Sequence, residues 1–88
     1  MNGRCFFCGA QGTVEKHHLI FGTGLRKLSE KYGLTCDLCP DCHRNGLYAV
    51  HRDPEMAKFS KRLGEAMYLV KYDATVQDFI EIFGRNYL

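Results

Sequence analysis

The sequence predicts a small α+β fold in which short strands come first and helices come last. Its 88 residues suffice for one domain that buries about 60–65% of its surface on folding. Every cysteine and histidine lies between residues 5 and 51, among glycines and short β-branched segments, and two amphipathic helical patterns follow. We therefore predict a single domain over residues 1–88, with a cysteine- and histidine-rich part at 5–52 and a helical part at 53–88.

The first part begins with a turn and an extended segment. Cys5 and Cys8 flank two aromatic residues and Gly9 follows them, a pattern typical of a metal-binding knuckle. Residues 13–21 are β-branched or aromatic at both ends and predict a strand. Gly22 is expected to end it.

Three shorter elements follow in the same part of the chain. Apolar residues recur at helical spacing from Leu25 to Tyr32 and predict a brief helix that ends at Gly33. Residues 34–38 predict a second short strand leading into another cysteine pair. Residues 44–46, Arg-Asn-Gly, predict a tight turn.

The clearest predicted element is a long helix that runs to about Tyr72. Asp53 is a favoured N-cap and Pro54 is favoured at the first helical position. The apolar face is predicted to consist of Met56, Phe59, Leu63, Met67 and Val70. The residues expected mostly away from that face are Lys58, Lys61, Arg62 and Glu65.

A last helix is predicted from the capping box of Thr75 and Asp78. Gly84 would end it. The residues expected to face inward are Val76, Phe79, Ile80 and Phe83.

Composition narrows the class of protein. The net charge of +2 permits contact with a few phosphates but is modest for a protein that coats nucleic acid. No apolar run approaches the roughly 18 residues of a membrane span, and the N-terminus has no signal-peptide pattern. We therefore expect an intracellular, cytoplasmic protein without membrane contact. In such a reducing compartment CxxC pairs are more often metal ligands than disulfides.

The strongest metal-binding signal is a set of two CxxC pairs: Cys5, Cys8, Cys39 and Cys42. Both sulfurs of such a pair can reach one ion at about 2.3 Å, and two pairs complete a tetrahedron. We expect a structural Zn²⁺ on which folding depends. Cys36 and Cys39 have the same spacing. We prefer Cys39 with Cys42, which directly precedes a histidine, and interpret Cys36 as a buried free thiol.

Four histidines lie within the same framework: His17, His18, His43 and His51. One histidine alone is weak evidence, but four of them, two adjacent, indicate a second metal or catalytic site. Neighbours in a regular strand face opposite sides. His17 and His18 can therefore serve one site only where the strand bends or ends, as Gly22 would allow.

These motifs resemble those of HNH endonucleases, specifically the small zinc-knuckle forms common in phage genomes. The matching segments are Cys5-x2-Cys8, Glu15-x-His17-His18-Leu19-Ile20, Leu38-Cys39-Pro40-Asp41-Cys42-His43 and the downstream His51. The closing segment 79–87 is also similar to phage HNH tails. The middle Asn of the family has no counterpart, because residues 22–35 contain no Asn.

The resemblance implies a zinc-stapled ββα-metal (treble-clef-like) domain with an added C-terminal helical part. It implies that His18 is the general base. It also implies that a catalytic divalent ion, Mg²⁺, Mn²⁺ or Zn²⁺, is held by His17, His43 and His51. The candidate phosphate-binding residues are Arg44 and Arg52.

The implied function is metal-dependent hydrolysis of DNA phosphodiester bonds that leaves 5′-phosphate and 3′-hydroxyl ends. A histidine with a pKa near 6.5 can take the proton of the attacking water at neutral pH. The expected partner is duplex or branched DNA, with a second protein or a second copy as a further partner, in a phage or prophage context. The alternative is a non-catalytic zinc-binding module of phage type that inhibits or adapts a host protein or binds nucleic acid.

Overall fold

The computed structural model describes residues 1–88 and confirms an α+β fold with two small sheets. The strands are β1 (Asn2–Arg4), β2 (Gln11–Thr13), β3 (Glu15–His18) and β4 (Thr35–Leu38). The helices are α1 (Leu25–Lys31), α2 (Pro54–Lys71) and α3 (Val76–Phe83), and a π-helical turn spans Asp41–Asn45. Strand β1 pairs with β2, and β3 pairs with β4. None of the helices combines the length and the apolar character that crossing a membrane requires.

The chain forms two compact units, each assembled from two segments. The first unit contains Met1–His17 and Cys36–Lys58, and the second contains His18–Thr35 and Phe59–Leu88. The boundaries between the units fall inside β3, β4 and α2. The single domain over residues 1–88 stays a prediction.

In the first unit, the β1–β2 hairpin presents the first cysteine pair. Its antiparallel register places Gly3 opposite Gly12, and the amide of Cys5 donates to the carbonyl of Ala10 at 2.9 Å. The intervening residues therefore form a closed knuckle at the end of the hairpin. The buried side chains of this unit are Cys5, Val14, His17, Leu38, Ala49 and Val50.

The strand predicted over residues 13–21 is wrong in its bounds. Strand β2 ends at Thr13, and β3 covers only Glu15–His18. Beyond β3, the side chain of Ser29 replaces a strand partner: its Oγ accepts from the amide of Ile20 at 3.1 Å and donates to the Ile20 carbonyl at 2.7 Å. The buried amide and carbonyl of Ile20 thus have hydrogen-bond partners although Ile20 is not part of a strand.

The predicted turn at residues 44–46 is also wrong in its bounds. The π-helical turn already begins at Asp41, and Gly46 ends it, with the Gly46 amide donating to the Asp41 carbonyl at 2.9 Å. A Cβ on Gly46 would lie 2.7 Å from that carbonyl oxygen. Close backbone approach is therefore the reason for glycine at this position.

The second unit has a core that is largely aromatic. Its buried residues are Ile20, Leu34, Tyr68, Phe79 and Phe83. Phe79 and Phe83 stack with ring centroids 4.4 Å apart. Helix α1 confirms the predicted brief helix, and Leu25 and Leu28 pack against this core.

Helix α2 confirms its predicted start and end within one residue. In the first unit, Asp53 Oδ1 accepts from the amide of Glu55 at 3.1 Å, as expected of an N-cap. The predicted apolar face is wrong at two positions, since the Phe59 side chain is 50% exposed and the Val70 side chain is 84% exposed. Met67 packs against the core as predicted. The buried residues of the helix are Ser60, Gly64, Glu65 and Tyr68.

Small and polar residues define the buried face of α2 because the helix lies close to the backbone of residues 19–20. Ser60 Oγ donates to the Leu19 carbonyl at 2.7 Å. Glu65, which was predicted to face outward, is fully buried, and its Oε1 accepts from the amide of Tyr87 at 2.6 Å. Hydrophobic periodicity cannot detect a face selected for close approach and hydrogen bonding.

Helix α3 confirms the predicted capping box and its glycine end. Thr75 Oγ1 accepts from the Asp78 amide at 3.1 Å, and Asp78 Oδ2 accepts from the Thr75 amide at 3.0 Å. Gly84 ends the helix with φ 89°, a conformation that favours glycine. The inward position predicted for Val76 is wrong, because its side chain is exposed at the start of the helix.

We predict that Gly64→Ala destabilises the protein. Alanine usually stabilises a helix interior by about 1 kcal/mol relative to glycine. Here the new Cβ would lie 2.7 Å from Ile20 Cγ1 and 3.0 Å from Leu19 Cβ. We expect the free energy of unfolding in urea to fall by about 1–3 kcal/mol. The control, Val70→Ala, lies on an exposed part of the same helix and should change it by about 0.5 kcal/mol or less. A more stable Gly64→Ala variant would contradict this packing.

Candidate metal centres

Four cysteine sulfurs converge in the first unit. The Sγ atoms of Cys5, Cys8, Cys39 and Cys42 all lie within 4.8 Å of one another. The Cys8 and Cys39 sulfurs are 3.8 Å apart. Two sulfurs bound at about 2.3 Å to one tetrahedral zinc ion are about 3.8 Å apart. The cluster therefore fits the structural zinc site that the cysteine spacing predicts.

Short backbone hydrogen bonds hold each cysteine pair in place. In the first knuckle, the Cys8 amide points at Cys5 Sγ at 3.5 Å, and the Gly9 amide donates to the Cys5 carbonyl at 2.9 Å with φ 79° at Gly9. In the second, the amide of Val50 donates to the Cys42 carbonyl at 2.9 Å. The local backbone thus fixes the turns that carry both cysteine pairs.

Two cysteines of the cluster differ in their pKa values. Burial opposes ionisation of Cys5, but hydrogen bonds from the backbone amides of Cys39, Cys8 and Phe7 outweigh it and lower the pKa of Cys5 to about 6. Burial raises the pKa of Cys42, and the neighbouring thiols raise it further. A metal ion bound among the four sulfurs would compensate the charge of their thiolates.

Cys36 lies apart from this set of sulfurs. It is part of β4, and burial is the main reason that its pKa is raised to about 11. The structure thus brings Cys39 together with Cys42, in agreement with the preferred pairing. Cys36 is a neutral thiol at physiological pH.

Three of the four histidines form a second cluster in the first unit. One ring nitrogen each of His17, His43 and His51 lies within 4.8 Å of the others. The ring centroids are 5.1 Å apart for His17 and His43, 5.3 Å for His17 and His51, and 4.8 Å for His43 and His51. Neutral imidazoles in this arrangement can share one divalent ion.

Each histidine of the cluster comes from a different element. His17 lies on β3 and is 1% exposed. His43 lies in the π-helical turn that contains Cys42, and the amide of His51 donates to the His43 carbonyl at 3.1 Å. The second cysteine pair therefore also positions two of the three histidines.

A carboxylate contacts His43 and is itself held by a guanidinium. Glu15 Oε1 lies 2.8 Å from His43 Nδ1 and accepts from Arg44 Nε at 3.0 Å, while Glu15 Oε2 accepts from Arg44 Nη2 at 2.5 Å. Arg44 first, and His43 second, lower the pKa of Glu15 to about 2. Glu15 in turn raises the pKa of Arg44.

His18 belongs to the second unit and has a carboxylate partner of its own. Its Nε2 lies 2.8 Å from Glu30 Oε2 on α1, and its side chain is 24% exposed. His18 is not part of the three-histidine cluster. Neither Glu15 nor Glu30 has a role that the sequence predicted. Glu15 was visible within the double-histidine motif, whereas no local pattern marks Glu30.

The two candidate phosphate-binding residues, which lie in the first unit, already make protein contacts. Arg44 is occupied with Glu15. Arg52 Nη1 donates to the carbonyl of Asn45 at 2.8 Å. A guanidinium has five N–H donors, so both residues retain donors beyond these bonds. Their phosphate-binding role stays a prediction.

Comparison of the chain with known protein families, characterised proteins and solved structures yields no match. The HNH resemblance therefore stays a prediction that depends on the motifs themselves. What the structure provides is an α+β fold with a four-sulfur cluster and a three-histidine cluster.

We predict that the cysteine cluster binds one metal ion without Cys36. Cobalt reports this directly, since thiolate ligands produce a sulfur-to-cobalt charge-transfer absorption that histidine ligands do not. Cys36→Ser should retain this absorption and the fold, because its sulfur lies outside the cluster. Cys42→Ser should lose most of the absorption and unfold, as should the wild type with a chelator. Loss of the absorption in Cys36→Ser alone would show that the pairing is 36/39.

Proposed function

We propose that the chain is a metal-dependent endonuclease of the HNH, ββα-metal type that hydrolyses DNA phosphodiester bonds. The observation that carries the proposal is the cluster of His17, His43 and His51, formed in addition to the four-cysteine cluster. A zinc-binding module needs only the cysteines. A second group of three nitrogen ligands is instead typical of catalytic sites, which leave coordination positions open.

The three histidines would hold the catalytic ion. The proposed ion is Mg²⁺, Mn²⁺ or Zn²⁺. Imidazole nitrogen suits zinc and other transition metals better than magnesium. A divalent ion bound there supplies Lewis-acid stabilisation of charge on the phosphate and on the leaving 3′-oxygen. The protein residues fix its position through β3 and the π-helical turn.

His18 is proposed as the general base. Its Nε2 is hydrogen-bonded to Glu30 Oε2 at 2.8 Å. A carboxylate that accepts from Nε2–H leaves the lone pair of Nδ1 free to take a proton from water. Glu30 would also stabilise the imidazolium that forms. Attack by the resulting hydroxide on phosphorus would break the P–O3′ bond, and the leaving 3′-oxygen would take a proton from solvent water, which gives 5′-phosphate and 3′-hydroxyl ends.

DNA is proposed as the substrate, with Arg44 and Arg52 as phosphate contacts. The net charge of +2 suits an enzyme that touches few phosphates. A cytoplasmic location and a phage or prophage context belong to the same proposal.

One observation favours the alternative of a binding module. Leu47 and Tyr48 are 75% and 77% exposed, whereas the next two residues, Ala49 and Val50, are buried. Two adjacent exposed apolar side chains on an anchored loop are typical of a contact surface. Such a module would bind a host protein or nucleic acid and would not cleave.

We predict that His18→Ala abolishes nicking of supercoiled plasmid by the zinc-loaded protein in Mg²⁺ or Mn²⁺. Loss of a general base lowers the rate by about 10²–10⁴-fold. The cobalt spectrum and the unfolding midpoint should remain close to those of the wild type, because His18 lies in neither metal cluster. Gln77→Ala, at an exposed position of α3, is the matched control and should nick normally.

The two other outcomes separate the hypotheses. Equal nicking by wild type and His18→Ala would show that the base is another residue. No nicking by wild type would favour the binding module.

A further inference from the structure

We propose that Glu15 is a positioning residue for the histidine cluster: it holds the His43 imidazole as the Nδ1–H tautomer, so that Nε2 is the atom offered to the metal ion. The inference rests on the proposed function for the ion but not on cleavage. It assigns a role to Glu15, which contacts no substrate in the proposed function, and a second role to Arg44, which is there a phosphate contact.

The hydrogen-bond geometry determines the tautomer. Arg44 binds both oxygens of Glu15, through Nε at 3.0 Å and Nη2 at 2.5 Å. A carboxylate in this bidentate pair is ionised and can only accept hydrogen bonds. The 2.8 Å contact between Glu15 Oε1 and His43 Nδ1 therefore requires a hydrogen on Nδ1. The lone pair of neutral His43 is then on Nε2.

Glu15 connects the strand that carries His17 to the turn that carries His43. Glu15 lies on β3, two residues before His17, whereas His43 and Arg44 lie in the π-helical turn. One carboxylate thus links the strand that carries one ligand to the turn that carries another. Carboxylates that accept from ligand histidines orient the ring and raise its basicity, and their loss typically costs 10–100-fold in metal affinity.

Arg44 acts on the metal through Glu15. Its guanidinium binds both carboxylate oxygens of Glu15. Removal of the Arg44 side chain would therefore free the Glu15 side chain to rotate away from His43. Arg44→Ala should therefore weaken metal binding in the absence of DNA. A residue that served only as a phosphate contact would leave metal affinity unchanged.

The first measurement determines which ring nitrogen of His43 carries the hydrogen. In protein carrying zinc on the cysteines only, ¹⁵N NMR of the imidazoles should show His43 as Nδ1–H. Glu15→Ala should convert it to a mixture of tautomers. Glu15→Gln keeps a side-chain oxygen acceptor and should partly restore Nδ1–H. A His43 that carries its hydrogen on Nε2 in the wild type, or that is unaffected by Glu15→Ala, would overturn the proposal.

The second measurement reads metal affinity by calorimetric titration of the same zinc-loaded proteins with Co²⁺. We expect the Kd to rise 10–100-fold in Glu15→Ala, to rise in Arg44→Ala, and to rise less in Glu15→Gln. The matched control is Glu55→Gln, an exposed glutamate of the same unit whose partner is Lys58. It should leave the Kd unchanged. Preserved backbone NMR spectra show that each variant is folded.

The outcomes separate this inference from the proposed function. If Co²⁺ binding depends on Glu15 but wild type cleaves no DNA, the positioning role holds and the nuclease proposal fails. If wild type cleaves and Glu15→Ala binds Co²⁺ normally, only the positioning role fails. If wild type binds no Co²⁺, both fail.

Discussion

The convergence of four cysteine sulfurs is the constraint on which the first unit depends. Two knuckles that lie far apart in sequence bring their sulfurs within 4.8 Å, and Cys8 and Cys39 are separated by the spacing of a tetrahedral zinc site. Structural zinc contributes about 10–16 kcal/mol, whereas a core of this size contributes only a few kcal/mol. Metal binding is therefore the dominant stabilising interaction expected here.

The histidine cluster is built on the same framework. Val50 and His51 donate their amides to the carbonyls of Cys42 and His43, so the chain after the second knuckle runs back along the π-helical turn. That path brings His51 to His43, and Glu15 ties the turn to β3 and so to His17. The segment that carries the second cysteine pair thus positions a histidine cluster whose residues are otherwise scattered along the sequence.

The second unit is held by packing and by side-chain hydrogen bonds to the backbone. Ser29 binds both backbone groups of buried Ile20, and Ser60 binds the carbonyl of Leu19, whose amide donates to the Leu34 carbonyl. Gly64 allows α2 to lie against the Ile20 side chain. Such close packing restricts the choice of residue as strictly as a metal ligand does, but it leaves no spacing pattern in the sequence.

The sequence by itself determined the helices α1, α2 and α3 and the caps of the last two, since capping and helical spacing act over a few residues. CxxC spacing paired Cys5 with Cys8 but allowed Cys39 to pair with either Cys36 or Cys42, and the structure brings it to Cys42. It also indicated the three-histidine group. Only the tertiary structure decided the end of β3, the buried face of α2 and the carboxylates beside the histidines. Glu15 meets His43 across 28 residues, and Glu30 meets His18 across 12. These pairings depend on how distant segments pack, and no short-range preference encodes that.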